Sequence, residues 1–97
     1  MEILEPETNK FTIYSKSGCP NCIKVKRFLQ ENNILFTNID CDEYLLENKE
    51  EFLQFIQNLA QKECRLFPMV FDNQQFIGGY TETVQHVENI LKFDESF

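Results

Sequence analysis

The sequence predicts a three-layer α/β domain in which helices cover a central mixed four-stranded sheet. A strand, a helix and a second strand follow one another within about residues 10–40. A strongly amphipathic helix comes next, and a hairpin with a final helix completes the chain. The predicted order is therefore β-α-β-α-β-β-α, and a chain of 97 residues has room for one domain, taken as 1–97.

The first three elements are predicted to form a βαβ unit. Aromatic and β-branched residues alternate over residues 10–15, which favours a strand. A helix is predicted from about 20 to 31, because apolar residues recur there at helical spacing and Pro20 suits a first helical turn. A second strand is predicted over residues 34–40. A strand, helix and strand in so short a stretch indicate parallel strands joined by a right-handed crossover.

The second helix carries the strongest helical pattern in the chain. Asn48 with Glu51 resembles an N-cap followed by a glutamate at the third helical position, and a helix over about 49–62 is predicted. Its apolar positions are Phe52, Phe55, Ile56 and Leu59. Residues 43–47 form either a separate turn or an extension of this helix, and the sequence leaves both open.

The last three elements are predicted to be a hairpin and a helix. Residues 68–72 and 75–77 flank Asn73-Gln74, which favours an antiparallel pair closed by a short turn. The pair Gly78-Gly79 ends the hairpin. The final helix is predicted to be capped by Thr81 or Glu82, and its apolar face contains Val84, Val87, Ile90 and Leu91.

Composition excludes several classes of function. The formal charge is −7, which argues against nucleic acid or an anionic membrane as a partner, because both require a positive field. The apolar share of 42% is enough for a packed core. The sequence shows neither a secretory signal nor an apolar stretch of about 18 residues that could span a bilayer. We therefore expect a soluble, cytoplasmic protein, and we expect a monomer.

The positive charge is concentrated in one stretch. Residues 8–30 contain no acidic residue, and their basic residues are Lys10, Lys16, Lys24, Lys26 and Arg27. The remainder of the chain is strongly acidic. The same stretch contains Cys19 and Cys22.

Cys19 and Cys22 are the predicted catalytic pair. A C-x-x-C motif directly after a strand, on the first turn of a helix, is the arrangement of a dithiol redox site. The free N–H groups of the helix start stabilise an anion, so the thiol of Cys19 is expected to ionise readily and to act as the nucleophile. Cys22 lies one turn deeper and is predicted to be the resolving thiol, and Lys16 adds a positive charge nearby.

Zinc binding and chance spacing account for the cysteines less well. A structural zinc site needs a second pair at short spacing, whereas Cys41 and Cys64 are far apart and His86 is the only histidine. Two unrelated buried thiols at this spacing would not account for the strand before them and the basic helix after them. Cys41 and Cys64 are predicted to be packing thiols, Cys64 being near enough to Pro68 to be glutathionylated, and His86 is expected to have no catalytic role.

Three separated motifs resemble those of the glutaredoxin family. Residues 14–22 (YSKSGCPNC) look like its active-site segment, while 67–71 (FPMVF) and 76–79 (FIGG) are similar to its Thr-Val-Pro loop and Gly-Gly turn. The resemblance covers about residues 10–92. It implies a thioredoxin-like fold, a cis peptide bond before Pro68 and glutathione as reductant. The implied activity is reduction of disulfide-containing or glutathionylated protein substrates.

The resemblance also implies a glutathione site. Lys16 would face the glycine carboxylate of glutathione, with Arg65 beside it, and the backbone of Phe67 before Pro68 would pair with the main chain of the tripeptide. The turn formed by Gly79, Tyr80, Thr81 and Glu82 would receive the γ-glutamyl end. Asn21 stands beside the bound peptide, where the family usually has an aromatic residue.

Two alternatives remain at this point. One keeps the fold but replaces glutathione by a dedicated reductase or a single protein partner. The other is a carrier that binds an iron–sulfur cluster through Cys19 and glutathione. For the preferred interpretation, a dithiol oxidoreductase, no metal is expected.

Overall fold

The computed structural model describes residues 1–95 and contains a four-stranded sheet with three helices. The last two residues of the predicted domain lie outside the described residues. The strands are β1 (Phe11–Ser15), β2 (Phe36–Asp40), β3 (Met69–Asp72) and β4 (Gln75–Gly78), and the helices are α1 (Pro20–Glu31), α2 (Asp42–Ala60) and α3 (Tyr80–Glu95). The predicted order of elements is confirmed.

The sheet is mixed, as predicted. Its strand order is β2-β1-β3-β4, with β1 parallel to β2 and antiparallel to β3, and β3 antiparallel to β4. The parallel pairing brings the carboxyl ends of β1 and β2 side by side, with Ser15 opposite Asp40. The loop that follows β1 therefore starts next to the end of β2.

Two apolar clusters hold the helices on opposite faces of the sheet. On one face, Tyr14 and Phe71 pack with Phe52 and Ile56 of α2. On the other, Ile13 and Val70 pack with side chains of α1 and α3, namely Val25, Leu29 and Val87. All five residues of β1 are buried, although the sequence had suggested alternation, because this strand is central and both of its faces are covered.

Helix α2 includes residues 43–47, for which the sequence left open a separate turn or an extension of the helix predicted over about 49–62. It begins at Asp42, and Asn48 inside it has a non-helical backbone (φ −161°, ψ 87°) that kinks the helix. The Asn48 side chain accepts a hydrogen bond from the Glu51 N–H at 3.1 Å. The predicted cap at Asn48 is thus confirmed, and residues 43–47 are a helical segment on its other side.

The start of α3 differs from the prediction. The helix begins at Tyr80, directly after Gly79, so the proposed caps Thr81 and Glu82 are both already helical. Glu82 lies at the third helical position, and its carboxylate accepts a hydrogen bond from the Gly79 N–H at 2.8 Å. In a capping box, a glutamate at the third helical position bonds to a backbone N–H one turn earlier. The residue that marks the helix start in the sequence, Glu82, therefore lies inside the helix.

The hairpin is confirmed, with a turn in which Asn73 and Gln74 both have positive φ (51° and 68°). Such a pair matches the twist of the flanking strands. Within residues 1–95, none of the helices combines the length and the apolar character needed to cross a membrane.

Candidate active site

Cys19 and Cys22 lie where β1 passes into α1. Pro20 is the first residue of the helix and Cys19 is its N-cap, with an extended backbone (φ −118°, ψ 98°). The two sulfurs form a disulfide, and the Cα atoms are 5.2 Å apart. The Cys19 Sγ also accepts a hydrogen bond from the Cys22 N–H at 3.1 Å. The Cys19 sulfur is therefore placed against the free N–H groups of a helix N-terminus, which stabilise a thiolate.

The two cysteines differ in exposure. The exposed fraction is 7% for Cys19 and 1% for Cys22. Access from solvent thus favours Cys19 as the attacking sulfur, in the order that the sequence predicted. Pro20 and Asn21, which lie between the two cysteines, are exposed.

A cleft of about 310 Å³ includes Asn21, the residue before Cys22, but neither cysteine of the pair lines it. Most of the residues that were predicted to bind glutathione line it: Asn21, Arg65, Phe67, Pro68, Gly79, Tyr80, Thr81 and Glu82. The sequence had not singled out further lining residues, namely Glu63, Cys64, Leu66, Phe76 and Gly78. The peptide bond between Phe67 and Pro68 is cis, as the family resemblance implied.

Lys16 does not line this cleft, and it lies instead in a separate recess together with both cysteines. Its Nζ lies 5.6 Å from the centroid of the Phe67 ring, within the range of a cation–π contact. Phe67 in turn is stacked on the buried Phe52, with ring centroids 6.0 Å apart. The ring of Phe67 thus connects the lysine to the cleft.

Arg65 is paired within the chain. Its guanidinium donates a hydrogen bond to the Glu50 carboxylate at 3.0 Å, and this contact lowers the pKa of Glu50. Both side chains are exposed, so such a pair contributes little to stability. The positive charge of Arg65 at the cleft is consequently shared with a carboxylate of α2.

The far end of the cleft is formed by the glycine pair and the start of α3. Gly78 has a φ of +135°, and a Cβ there would lie 2.8 Å from the Glu82 side chain. A residue other than glycine would therefore be strained and would collide with Glu82. Because the first N–H groups of a helix have no intrahelical partner, this end offers hydrogen-bond donors beside the Glu82 carboxylate.

A second recess of about 230 Å³ lies on the other side of the dithiol, and both cysteines line it. It includes residues that the sequence analysis did not assign to the site: Ser17, Ile23, Lys26, Asn38 and Asp40. Asn38 accepts a hydrogen bond from the Ser15 hydroxyl at 2.7 Å. These residues meet here because β1 and β2 are parallel and end together, which is a consequence of the predicted βαβ unit.

The remaining thiols and the histidine lie in different surroundings. Cys41 is fully buried in the α2-side core, and burial raises its pKa to about 12. Cys64 is half-buried at the cleft, and burial raises its pKa as well. The Nε2 of His86 is 2.8 Å from the Asp72 carboxylate. The imidazole ring of His86 also contacts the Phe11 ring. Within the described part of the chain, no group of three or more metal-ligating side chains is gathered.

The buried state of Cys41 predicts an alkaline loss of stability. Because its pKa is raised from 9.0 to about 12 on folding, ionisation of Cys41 above about pH 9 favours the unfolded chain. In the oxidised protein, we expect the free energy of unfolding to fall more steeply as the pH rises from about 9 towards 12 in wild type than in Cys41→Val. Denaturant titrations measure both slopes. Equal slopes would mean that the Cys41 thiol is not protected from water.

Comparisons with known proteins agree with this geometry. The family model described as "Glutaredoxin" matches residues 11–77. The protein named glutaredoxin 1 from Rickettsia felis is 33% identical over 67 residues, which cover 69% of this chain and 61% of that protein. The chain therefore aligns with about three fifths of the length of this curated relative.

Solved structures share the fold. The crystal structure of glutaredoxin 1 from Francisella tularensis, complexed with cacodylate, matches with a TM-score of 0.73 and 29% sequence identity. The alignment covers 86% of this chain and 96% of that protein's chain. The buckwheat glutaredoxin–glutathione complex matches with a TM-score of 0.66, and the alignment covers 84% of this chain and 70% of the buckwheat chain. At 22% identity, the second likeness shows the fold alone.

The sheet order, the placement of the cysteine pair and the family match lead to one assignment. The fold is thioredoxin-like, as in these structural neighbours. The match begins at the first residue of β1 and extends into β4, so it includes both the dithiol and the cis-proline loop. This chain belongs to the glutaredoxin family.

Proposed function

We propose that the protein is a glutathione-dependent thiol–disulfide oxidoreductase that reduces glutathionylated or disulfide-containing proteins. The observation that carries this proposal is the position of Cys19, an N-cap residue whose Sγ accepts a hydrogen bond from the Cys22 N–H. A thiolate at this position is stabilised by the helix start and is the more exposed of the pair. The same geometry leaves Cys22 within bonding distance of Cys19.

On a glutathionylated protein, the reaction needs one sulfur of the pair. The Cys19 thiolate attacks the glutathione sulfur, so a disulfide forms between Cys19 and glutathione, and the protein thiolate leaves and takes a proton. A second glutathione, as its thiolate, attacks the glutathione sulfur of this mixed disulfide. Glutathione disulfide is released and Cys19 returns to the thiolate. One free glutathione is consumed, and the other half of the glutathione disulfide comes from the substrate.

On a disulfide within one protein, both sulfurs are needed. Cys19 attacks one sulfur of the substrate and forms a mixed disulfide, while the other substrate sulfur leaves as a thiol. Cys22 then attacks Cys19, which releases the reduced substrate and forms the Cys19–Cys22 disulfide. Two glutathione molecules reduce that disulfide and restore the enzyme.

The cleft suits the tripeptide that the proposal requires. Glutathione carries two carboxylates and one ammonium group. Lys16 lies over the ring of Phe67, which lines the cleft, and a helix N-terminus with Glu82 lines it as well. Between them lies the Phe67–Pro68 loop, whose backbone can pair with an extended peptide. In support, the buckwheat family member was solved as a complex with glutathione.

The direct test is turnover of a small glutathione mixed disulfide, followed through formation of glutathione disulfide. We expect a rate that depends on glutathione concentration and saturates. A protein that is reduced only by a disulfide reductase, and turns over no mixed disulfide with glutathione, would disprove the proposed electron donor. The same preparation should be compared with heat-denatured protein, which measures the uncatalysed exchange.

Lys16 provides a prediction about the glutathione site. Replacement by glutamate should raise the apparent Michaelis constant for glutathione by about tenfold, because a charge-assisted contact with a carboxylate becomes a repulsion. Lys24→Glu is the matched control, since it makes the same charge change at an exposed position of α1 that lines neither the cleft nor the recess beside the cysteines. Equal Michaelis constants for the two variants would remove Lys16 from the site. Thermal unfolding should show that both variants are as stable as wild type.

A further inference from the structure

The loop between β1 and Cys19 is bound by a side chain that lies outside the family motifs. Asp42, the first residue of α2, receives two hydrogen bonds from Ser17. The Ser17 N–H donates to Oδ1 at 2.9 Å, and the Ser17 hydroxyl donates to Oδ2 at 2.5 Å. Ser17 is two residues before Cys19, so this carboxylate holds the backbone that leads into the dithiol.

Two neighbouring hydrogen bonds fix the anchor itself. The Cys41 N–H donates to the Ser15 carbonyl at 2.8 Å, which ties the start of α2 to the end of β1. The Asp42 N–H donates to the Asp40 side chain at 3.0 Å. Asp42 is therefore held in place independently of Ser17.

The loop has little else to hold it. Gly18 has a φ of +67°, and no heavy atom lies within 4 Å of the point that its Cβ would occupy. Lys16, Ser17 and Gly18 are all exposed. Packing therefore contributes little to the conformation of Ser17 and Gly18, and the hydrogen bonds to Asp42 are the specific contacts of Ser17, while Lys16 lies over the Phe67 ring.

We propose that Asp42 is a positioning residue for the attacking thiol: its bidentate contact with Ser17 keeps Cys19 at the N-terminus of α1. This inference rests on the role that the proposed function gives to Cys19. Loss of the contact should let the loop move, so that the Cys19 sulfur spends less time beside the Cys22 N–H. The reduced protein would then contain less Cys19 thiolate at a given pH. As further support, the hydrogen bonds from Ser17, with the charge of Lys16, lower the pKa of Asp42.

If Asp42 acted on Cys19 only through its negative charge, its removal would have the opposite effect on the reactivity of the thiol. A carboxylate near a thiol disfavours the thiolate, so removing its charge alone should increase the reactivity of Cys19. Asparagine separates the two roles. Its carbonyl can accept from the Ser17 N–H and its amide can donate to the Ser17 hydroxyl, which keeps the anchor while the charge is lost.

The experiment measures alkylation of Cys19 by iodoacetamide in the reduced protein at about pH 6, with the labelled residue identified by mass spectrometry. We expect Asp42→Ala to lower the rate constant about threefold, the size of one modest hydrogen bond. Asp42→Asn should react at least as fast as wild type. Ser17→Ala, which removes only the hydroxyl contact, should fall between Asp42→Ala and wild type.

Glu43→Ala is the matched control, because it removes the same charge from the next residue of the same helix, which is exposed. It should react like wild type. Hydrogen exchange of the Ser17 amide gives a second measurement, and we expect faster exchange in Asp42→Ala than in Asp42→Asn. Equal alkylation rates in folded Asp42→Ala and Asp42→Asn proteins would overturn the proposal, because both variants lose the same charge and only the alanine variant loses the anchor. Neither measurement uses glutathione, so the result is separate from that of the turnover assay.

Discussion

Replacement of Cys19 by serine is expected to abolish both deglutathionylation and protein disulfide reduction. Serine has nearly the same shape, but its hydroxyl is not ionised at neutral pH and does not attack a disulfide. Both proposed reactions begin with a bond between the Cys19 sulfur and the substrate, so neither can start. The rate with a small glutathione mixed disulfide should fall to that of the uncatalysed exchange.

The control for this variant is Cys64→Ser. Cys64 also lines the cleft and is half-buried, so its replacement makes the same chemical change close to the site. Burial raises the pKa of Cys64, and its thiol is not prepared for attack at neutral pH. We therefore expect Cys64→Ser to retain activity. Turnover by a folded Cys19→Ser protein above the uncatalysed rate would show that another thiol initiates the reaction.

The elements that were predicted best are those whose signals are local. Helix α1 was expected at about 20 to 31 and is found at Pro20–Glu31, because a proline fixes its first turn and a pair of asparagines follows its last residue. The hairpin was equally clear, since Asn73 and Gln74 separate two apolar strands and adopt positive φ. Neither element needed information from the rest of the fold.

Helix α2 was only half predictable. Asn48 carries the signal for a helix start, and it does cap the segment after it. The helical segment before it depends on contacts that the sequence does not display. Tyr44 is stacked on Phe52 with centroids 5.5 Å apart, and the Asp42 carboxylate is bound to the loop before Cys19. The Asp42–Ser17 contact joins residues 25 positions apart, and the Tyr44–Phe52 contact lies across the kink at Asn48, so periodicity alone could not extend the helix to Asp42.

Sequence motifs predicted most residues of the candidate site, and the arrangement of the strands brings further residues to it. The cis-proline loop and the glycine turn lie in one cleft with Asn21, whereas both cysteines and Lys16 line the neighbouring recess. The ring of Phe67 connects Lys16 to the cleft. Asn38, Asp40 and Asp42 were missed, because strand and helix patterns treat Asn38 only as a position within β2 and the two aspartates only as ends of elements. A usable signal was present, since the ends of two parallel strands must lie side by side. Polar residues directly after β2 could therefore have been placed beside the loop that follows β1.

Replacement of Cys22 by serine should separate the two proposed reactions. Deglutathionylation should be retained, because a second glutathione can resolve the mixed disulfide on Cys19. Reduction of a disulfide within one protein should be largely lost, because the substrate stays bonded to Cys19 until an internal thiol attacks. With such a substrate, a covalent complex should accumulate, visible on a non-reducing gel and dissolved by dithiothreitol.

The division of roles follows from the difference in position between the two sulfurs. Cys22 is 1% exposed and lies inside α1, so it reaches Cys19 but not an outside substrate. Loss of deglutathionylation in a folded Cys22→Ser protein, to the level of Cys19→Ser, would contradict this division. Absence of the covalent complex, with disulfide reduction retained, would mean that a different thiol resolves it. Cys64 would be the residue to test next, because it lines the same cleft, although its raised pKa makes it a slower nucleophile at neutral pH than a thiol at a helix start.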